Sequence, residues 1–251
     1  MPNYSAHIGL AREVATRMKH PLLEAHMGTV LLGSTAPDIR IITRGTRDEY
    51  HFMDLESGTL DEGVQGLFQA YPELTNASRQ AKRTRSFIAG YICHLVMDQS
   101  WIINLYRPYF SNPEVFEDIA TGKVMDRVLQ LDLDRASLDG VNPQEEVMPL
   151  LAGSEQGVEV DFIPPETLVQ WREWVESAVR RGFTWERLRF LSQRRQDPEN
   201  LDYAQDRAER FLESVSEGLE GVYEKVPYER VQAFKEQAIL ESIRIIGGYL
   251  Q

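Results

Sequence analysis

Cysteine is nearly absent. Cys93 is the only one in 251 residues, which excludes an internal disulfide and any CxxC zinc site. A metal in this chain would have to be held by histidine and carboxylate. Histidine is scarce as well: the chain has His7, His20, His26, His51 and His94, and none after residue 94. Imidazole chemistry therefore belongs to the N-terminal half. No apolar run reaches the roughly 18 residues that a membrane span needs. The opening MPNYSAHIGLAREV lacks a basic stretch followed by an apolar one, so the expectation is a soluble, unexported, cytoplasmic protein. Positive charge is in deficit, with 27 Lys+Arg against 39 Asp+Glu and a net charge of −12. That balance argues against a long nucleic acid as partner. Strand-like alternation is also missing, and the hydrophobic spacing is helical almost throughout, which predicts an all-α, multi-helix fold.

A hydrophobic fraction of 42% with 26% charged residues is ordinary globular composition. Ser5 is a candidate cap for a first helix carrying Ile8, Leu10, Val14 and Met18, ending before Pro21. A second helix is expected from Pro21 to about Gly33. Residues 34–59 lose the helical period and read as a long ordered loop, a type uncommon unless functional. The longest candidate helix runs from Asn76 to about Tyr106, and further helices are expected at 113–134, 143–152, 165–182, 184–195, 202–220 and 228–247. The stretch GSEQGVEVDFIPP, from Gly153 to Pro165, is the best boundary candidate. Residues 1–152 are expected to form a helical core with the chemistry, and 153–251 to pack on it within the same domain.

The most informative stretch is Phe87 to Ile103, FIAGYICHLVMDQSWII, where Asp98 is the only residue certain to be charged at neutral pH. An unpaired carboxylate in such surroundings is expensive. His94 and Asp98 are four apart and so share one helix face. HxxxD on its own reads either as a buried polar pair or as half of a metal site. The segment GSTAPDIR places Asp38 beyond a helix end, and His51 stands in YHF within the same irregular region. Singly, Asp38 reads as a Pro-Asp turn residue and His51 as a half-buried loop histidine. Together with HxxxD they form a mixed His/Asp set suited to zinc, manganese or iron. His7 faces inward on the first helix, His20 stands at a helix end, and His26 has no carboxylate at useful spacing. Arg40, Arg44 and Arg47 flank the loop between Asp38 and His51. They are either phosphate grips or a basic loop offsetting Asp48 and Glu49. Trp101, Tyr106 and Tyr109 follow HxxxD and read as core packing or as the wall of a pocket.

In order along the chain stand His7, GS-x-x-PD at 33–38, His51-Phe52, and F-x-x-G-x-x-x-H-x-x-x-D-x-x-W at 87–101. This arrangement resembles the zinc-dependent phospholipase C family over roughly residues 5–110. That family is all-α and akin in fold to the fungal zinc single-strand nucleases. The resemblance implies that Asp38, His51, His94 and Asp98 surround one zinc, while His7 and a bridging Asp98 hold a second. The family's third zinc uses later histidines and an HxxxE helix, which this chain lacks, so one or two ions are expected. Asp48, Glu49 and Asp54 are candidate replacement ligands.

The leading expectation is a metal-dependent hydrolase of phosphate esters, phosphodiesters included, acting on a small ester or a lipid head group. Asp38 is its candidate catalytic residue, and Arg40, Arg44 and Arg47 its substrate contacts. The alternatives are an iron redox protein using the same ligands, against which stands the lack of Glu-x-x-His pairs, and a non-enzymatic metal-binding protein. Metal analysis with a visible spectrum separates the three. Colourless zinc is expected, iron bands would favour the second reading, and absence of metal the third.

Overall fold

The computed structural model describes residues 2–53, 58–137, 139–194 and 196–251, and no β-strand occurs among them. The all-α expectation holds. No described helix is long and apolar enough to cross a membrane. The architecture is organised around one helix, Lys82–Trp101, in which every residue from Ser86 to Trp101 is buried. A helix that is apolar nearly all round has to be enclosed on all sides. Here Tyr4–Met18, Met27–Gly33, Glu62–Ala70 and the C-terminal helix Tyr228–Tyr249 enclose it. The core cluster continues through Trp171 and Val175 of the helix Pro165–Arg181 and Phe234 of the C-terminal helix.

Several element boundaries differ from the sequence expectations for identifiable reasons. The first helix begins at Tyr4, with Asn3 in the capping position and Ser5 buried inside it. A capping side chain is dispensable because the Asp134 carboxylate accepts the Ala6 backbone N–H at 3.1 Å, satisfying a donor that a helix start leaves unpaired. The expected helix 21–33 is two helices, Pro21–Ala25 and Met27–Gly33, broken at His26 where φ is −127° and ψ 35°. His20 serves the helix that follows it. Extended ahead of a proline, it turns its Nδ1 forward to accept from the Leu22 N–H at 3.2 Å.

The expected long loop contains a 3₁₀ turn at Ala36–Ile39 and short helices at Arg40–Thr43 and Asp48–His51. Single turns are too short to show a period in sequence. Asp54 lies outside the described residues. The helix Glu62–Ala70, with Val64 and Leu67 buried, was not anticipated. Residues 76–81 are not part of the central helix, which begins at Lys82. Its far end runs past Tyr106 into a wider π-type segment, Ile102–Phe110, that contains Pro108. The boundary candidate is laced into the core. The Ser154 carbonyl accepts from Thr29 Oγ1 at 2.9 Å, the Glu159 N–H donates to Thr84 Oγ1 at 3.0 Å, and the Phe162 ring packs against Tyr71 and Tyr91. Trp101 is a core residue: it donates to Asp126 Oδ1 at 2.9 Å and stacks on Phe110.

The contact between Met27–Gly33 and the central helix needs two glycines. A Cβ on Gly90 would run into the Val30 carbonyl, and one on Gly33 into the Phe87 carbonyl. Both obstacles are backbone and cannot swing aside. This close approach sets the height of Ser34 against His94. Gly90→Ala should therefore destabilise the protein by about 1–3 kcal/mol, read as a lowered midpoint in urea, and should weaken metal binding at the same time. Unchanged stability and metal affinity together would show that the crossing tolerates a methyl group.

Candidate metal centre

Three imidazoles and two carboxylates converge where the central helix meets the first helix and the segment 34–52. His94 and Asp98 come from the buried face of the central helix, one turn apart, with Nε2 and Oδ2 separated by 3.6 Å. His7 is buried, its ring stacked on that of His94 at 3.7 Å between centroids. Its Nε2 lies 3.5 Å from Asp98 Oδ1. His51 ends the short helix Asp48–His51, and its Nε2 is 3.3 Å from Asp98 Oδ2. The turn to that position uses a left-handed Phe52 (φ 54°) and a hydrogen bond from the Tyr91 hydroxyl to the Tyr50 carbonyl. Asp38, on the 3₁₀ turn, brings Oδ1 to 4.0 Å from His51 Nε2 and is partly exposed.

The backbone decides which ring nitrogens face inward. His94 Nδ1 lies 2.8 Å from the Ser34 carbonyl and His51 Nδ1 3.2 Å from the Arg47 carbonyl. A carbonyl can only accept, so both rings carry their proton on Nδ1 and turn a lone pair on Nε2 inward. Those two Nε2 atoms stand 3.4 Å apart. Two facing lone pairs beside a carboxylate call for a proton or a cation between them. Among the described residues, neither nitrogen of buried His7 has a hydrogen-bond partner, nor does Asp98 Oδ1. Ligand atoms of His7, His94 and Asp98 lie within 4.8 Å of one another, as do those of Asp38, His51 and His94. Orphaned buried donors with imidazoles oriented by backbone carbonyls are what zinc requires of its surroundings. The buried His/Asp cluster fits zinc.

Charge is distributed unevenly across the cluster. Burial pulls the His51 imidazolium down to about 4, against the pull of Asp98. Burial lowers His7 too, helped by the neighbouring His94. For His94, burial disfavours the charged form, but the adjoining Asp98 carboxylate outweighs it and the pKa rises. Burial also works against the Asp98 anion, yet His94, His51 and His7 hold its carboxyl well below the usual range. Asp38 moves down for the same reason, with His94 and His51 overcoming its burial.

Sequence reasoning missed three supports. Arg47, expected beside a substrate phosphate, is turned inward: its guanidinium meets Asp98 Oδ2 at 3.1 Å, because the buried anion is a nearer counter-charge than anything in solvent. Gln99 accepts from the Gly63 N–H and donates to the Thr59 carbonyl, tying down the far side of the loop. Trp171 donates to Thr35 Oγ1 at 3.1 Å, fixing the turn before Asp38 from 136 residues away. Glu49 is spent on the Thr46 N–H, and Asp48 is exposed, so the structure brings neither into the cluster. Arg40 lies 3.9 Å from Asp38 Oδ1. With Asp38 and Arg44 it lines an open cavity of about 730 Å³.

Residues 6–101 match the sequence model of a family described as zinc dependent phospholipase C. The matched segment contains all five clustered residues, and the resemblance of this chain to that family is shown across it. The resemblance points to hydrolase chemistry. No curated protein and no solved structure matches the chain.

For a metal to bind, His94 must give up the proton that Asp98 stabilises, whereas His7 and His51 are already neutral near neutral pH. Metal affinity, measured against a competing chelator, should therefore rise about tenfold per pH unit until pH passes the raised His94 value above 6.5. His94→Ala should lower affinity by more than about tenfold and flatten this dependence. An affinity unchanged between about pH 6 and pH 8 would show that no proton has to leave.

Proposed function

We propose that the protein is a metal-dependent hydrolase of phosphate esters, diesters included, with zinc held by Asp38, His51, His94 and Asp98 and a second zinc held by His7 with Asp98 as the bridge. The observation that carries the reading is the two-sided carboxylate of Asp98. Oδ1 faces His7, while Oδ2 faces His51 and His94. The family points to zinc, and the same donors would also accept iron or manganese. Zinc held by these residues would supply Lewis acidity, making water a competent nucleophile near neutral pH and offsetting phosphate charge.

The chain's own residues supply orientation and charge. Asp38 bridges the buried cluster and the cavity, since it lines the cavity and approaches His51. Its carboxyl is held ionised by His94 and His51, so it is a weak proton store and a good hydrogen-bond acceptor. Its role is to orient the attacking water. Arg40 and Arg44 share the cavity wall with Asp38 and grip the non-bridging oxygens as charge redistributes. Arg47 acts from behind, holding Asp98. The substrate is a small phosphate ester or a lipid head group, of a size that the cavity of about 730 Å³ admits.

Asp38→Asn should keep the fold and reduce turnover by about a hundredfold or more, with metal content measured on the same sample to separate lost ligation from lost orientation. The assay is a panel of bis(p-nitrophenyl) phosphate, p-nitrophenyl phosphate and short-chain phosphatidylcholine with zinc-loaded protein. Failure to hydrolyse any of them above the His94→Ala background would sink the hydrolase reading.

A further inference from the structure

The cavity beside Asp38 has a composition that the chain as a whole does not predict. Acidic residues outnumber basic ones by 39 to 27 in the sequence. Yet the lining contains Arg40, Arg44, Arg127, Arg181, Arg187 and Arg194 against a single carboxylate, Asp38. Only Arg40 and Arg44 adjoin Asp38 in sequence. The other four lie outside the family match at 6–101, three of them beyond residue 180.

The far wall is built rather than incidental. Arg187 is held from behind by the buried Asp134 at 3.2 Å and lies over the Tyr4 ring at 5.1 Å. Asp134 also receives the Ala6 N–H, so the same carboxylate starts the first helix and anchors the wall. Arg127 is braced by Gln130 at 2.7 Å and by the buried Asp126 at 3.8 Å. Arg194 lies over the ring of Phe190 at 4.8 Å, and Arg181 is tied to Ser177 at 2.8 Å. Guanidiniums whose positions are set in this way lose little freedom on meeting an anion.

Resting on the hydrolase reading, we propose that the substrate carries a second phosphate group, which the wall of Arg127, Arg181, Arg187 and Arg194 binds while Arg40 and Arg44 hold the ester being cleaved. A cationic head group is disfavoured here, because the guanidiniums outnumber the carboxylates beside them, Asp38, Asp126 and Asp134, and repel it. One phosphate needs only two or three guanidiniums. The remaining arginines are provision for another dianion at the other end of the same molecule, worth about tenfold or more in affinity through charge-assisted contacts. A soluble bisphosphorylated ester and a lipid with a phosphorylated head group share this chemistry.

The test begins with binding, which does not depend on turnover. Methylenebisphosphonate, methylphosphonate and phosphocholine are titrated calorimetrically into the full-length protein, zinc-loaded and chelator-treated. The bisphosphonate should bind at least about tenfold tighter than the other two in both forms. The Arg181→Gln/Arg194→Gln double variant changes only exposed wall positions and spares the Arg187–Asp134 anchor. It should cut that preference at least about fivefold, and Arg194→Lys should retain most of it. Equal binding of the three probes, or a preference that survives the double substitution, overturns the proposal. Hydrolysis is then compared for soluble glycerophosphoinositol phosphate and for phosphatidylcholine vesicles containing phosphatidylinositol phosphate. Cleavage of either above phosphatidylcholine alone supports the proposal and identifies the source. A strong bisphosphonate preference with no hydrolysis of any ester would leave the wall as an anion site and remove the hydrolase reading instead.

Discussion

The Asp98 carboxylate is a buried negative charge on a helix that is otherwise apolar over nearly its whole circumference, and the N-terminal half of the molecule is arranged to accommodate it. An ion taken so far from water costs several kcal/mol unless it is surrounded by matching charge or donors. Three imidazoles and one guanidinium surround this one. They do not cancel it equally. Arg47 brings a permanent charge, His94 one that depends on its proton, and His7 and His51 are held neutral by burial. The result is a pocket rich in lone pairs and short of protons. Such a pocket suits a cation because its anion is only partly compensated by the protein itself.

That requirement reaches into the backbone. His94 presents Nε2 to the cluster only because its other nitrogen is occupied by the Ser34 carbonyl, and Ser34 arrives at that height only because Gly33 and Gly90 let two helices touch at their main chains. His51 is aimed by the Arg47 carbonyl and by the Tyr91 hydroxyl on the Tyr50 carbonyl. Asp38 is steadied through Thr35 by Trp171. His94, His51 and Asp38 are thus each steadied from outside the cluster, directly or through a neighbour. Holding donors within a few tenths of an ångström takes such an outer layer, since lone side chains on loops wander.

How much of this could be read from the sequence follows from which contacts are local. HxxxD was legible because four residues on a helix are neighbours in space whatever the rest of the chain does. Asp38 and His51 were legible as members of one irregular segment, and His7 entered through the family resemblance alone, since nothing in its own helix distinguishes it from a packed core histidine. The pairing of Arg47 with Asp98 was not legible: its sequence neighbourhood is polar, and only the tertiary fold brings Asp98 within reach. The helix Glu62–Ala70 escaped because Gly63 and Gly66 dilute its pattern; Gly66 is there so that the helix can press against the Phe52 carbonyl. The wall of arginines was illegible for a simpler reason. Arg127, Arg181, Arg187 and Arg194 are spread over nearly seventy positions, and no local period marks residues that share a cavity.

The net charge of −12 and an arginine-lined cavity are compatible once distance is considered. At physiological ionic strength, exposed charges are screened beyond about 8 Å. An extended polyanion lying along the surface therefore meets the acidic exterior at many points and is repelled at most of them. A small anion that enters the cavity leaves those carboxylates behind and responds to the guanidiniums within a few ångströms, where low-dielectric walls strengthen their field. The two length scales sort partners by size as well as by sign. The overall acidity that argues against long nucleic acids says nothing against a compact phosphate ester. The cavity's one lining carboxylate, Asp38, is accompanied by guanidiniums, which offset the repulsion that a carboxylate exerts on a small anion.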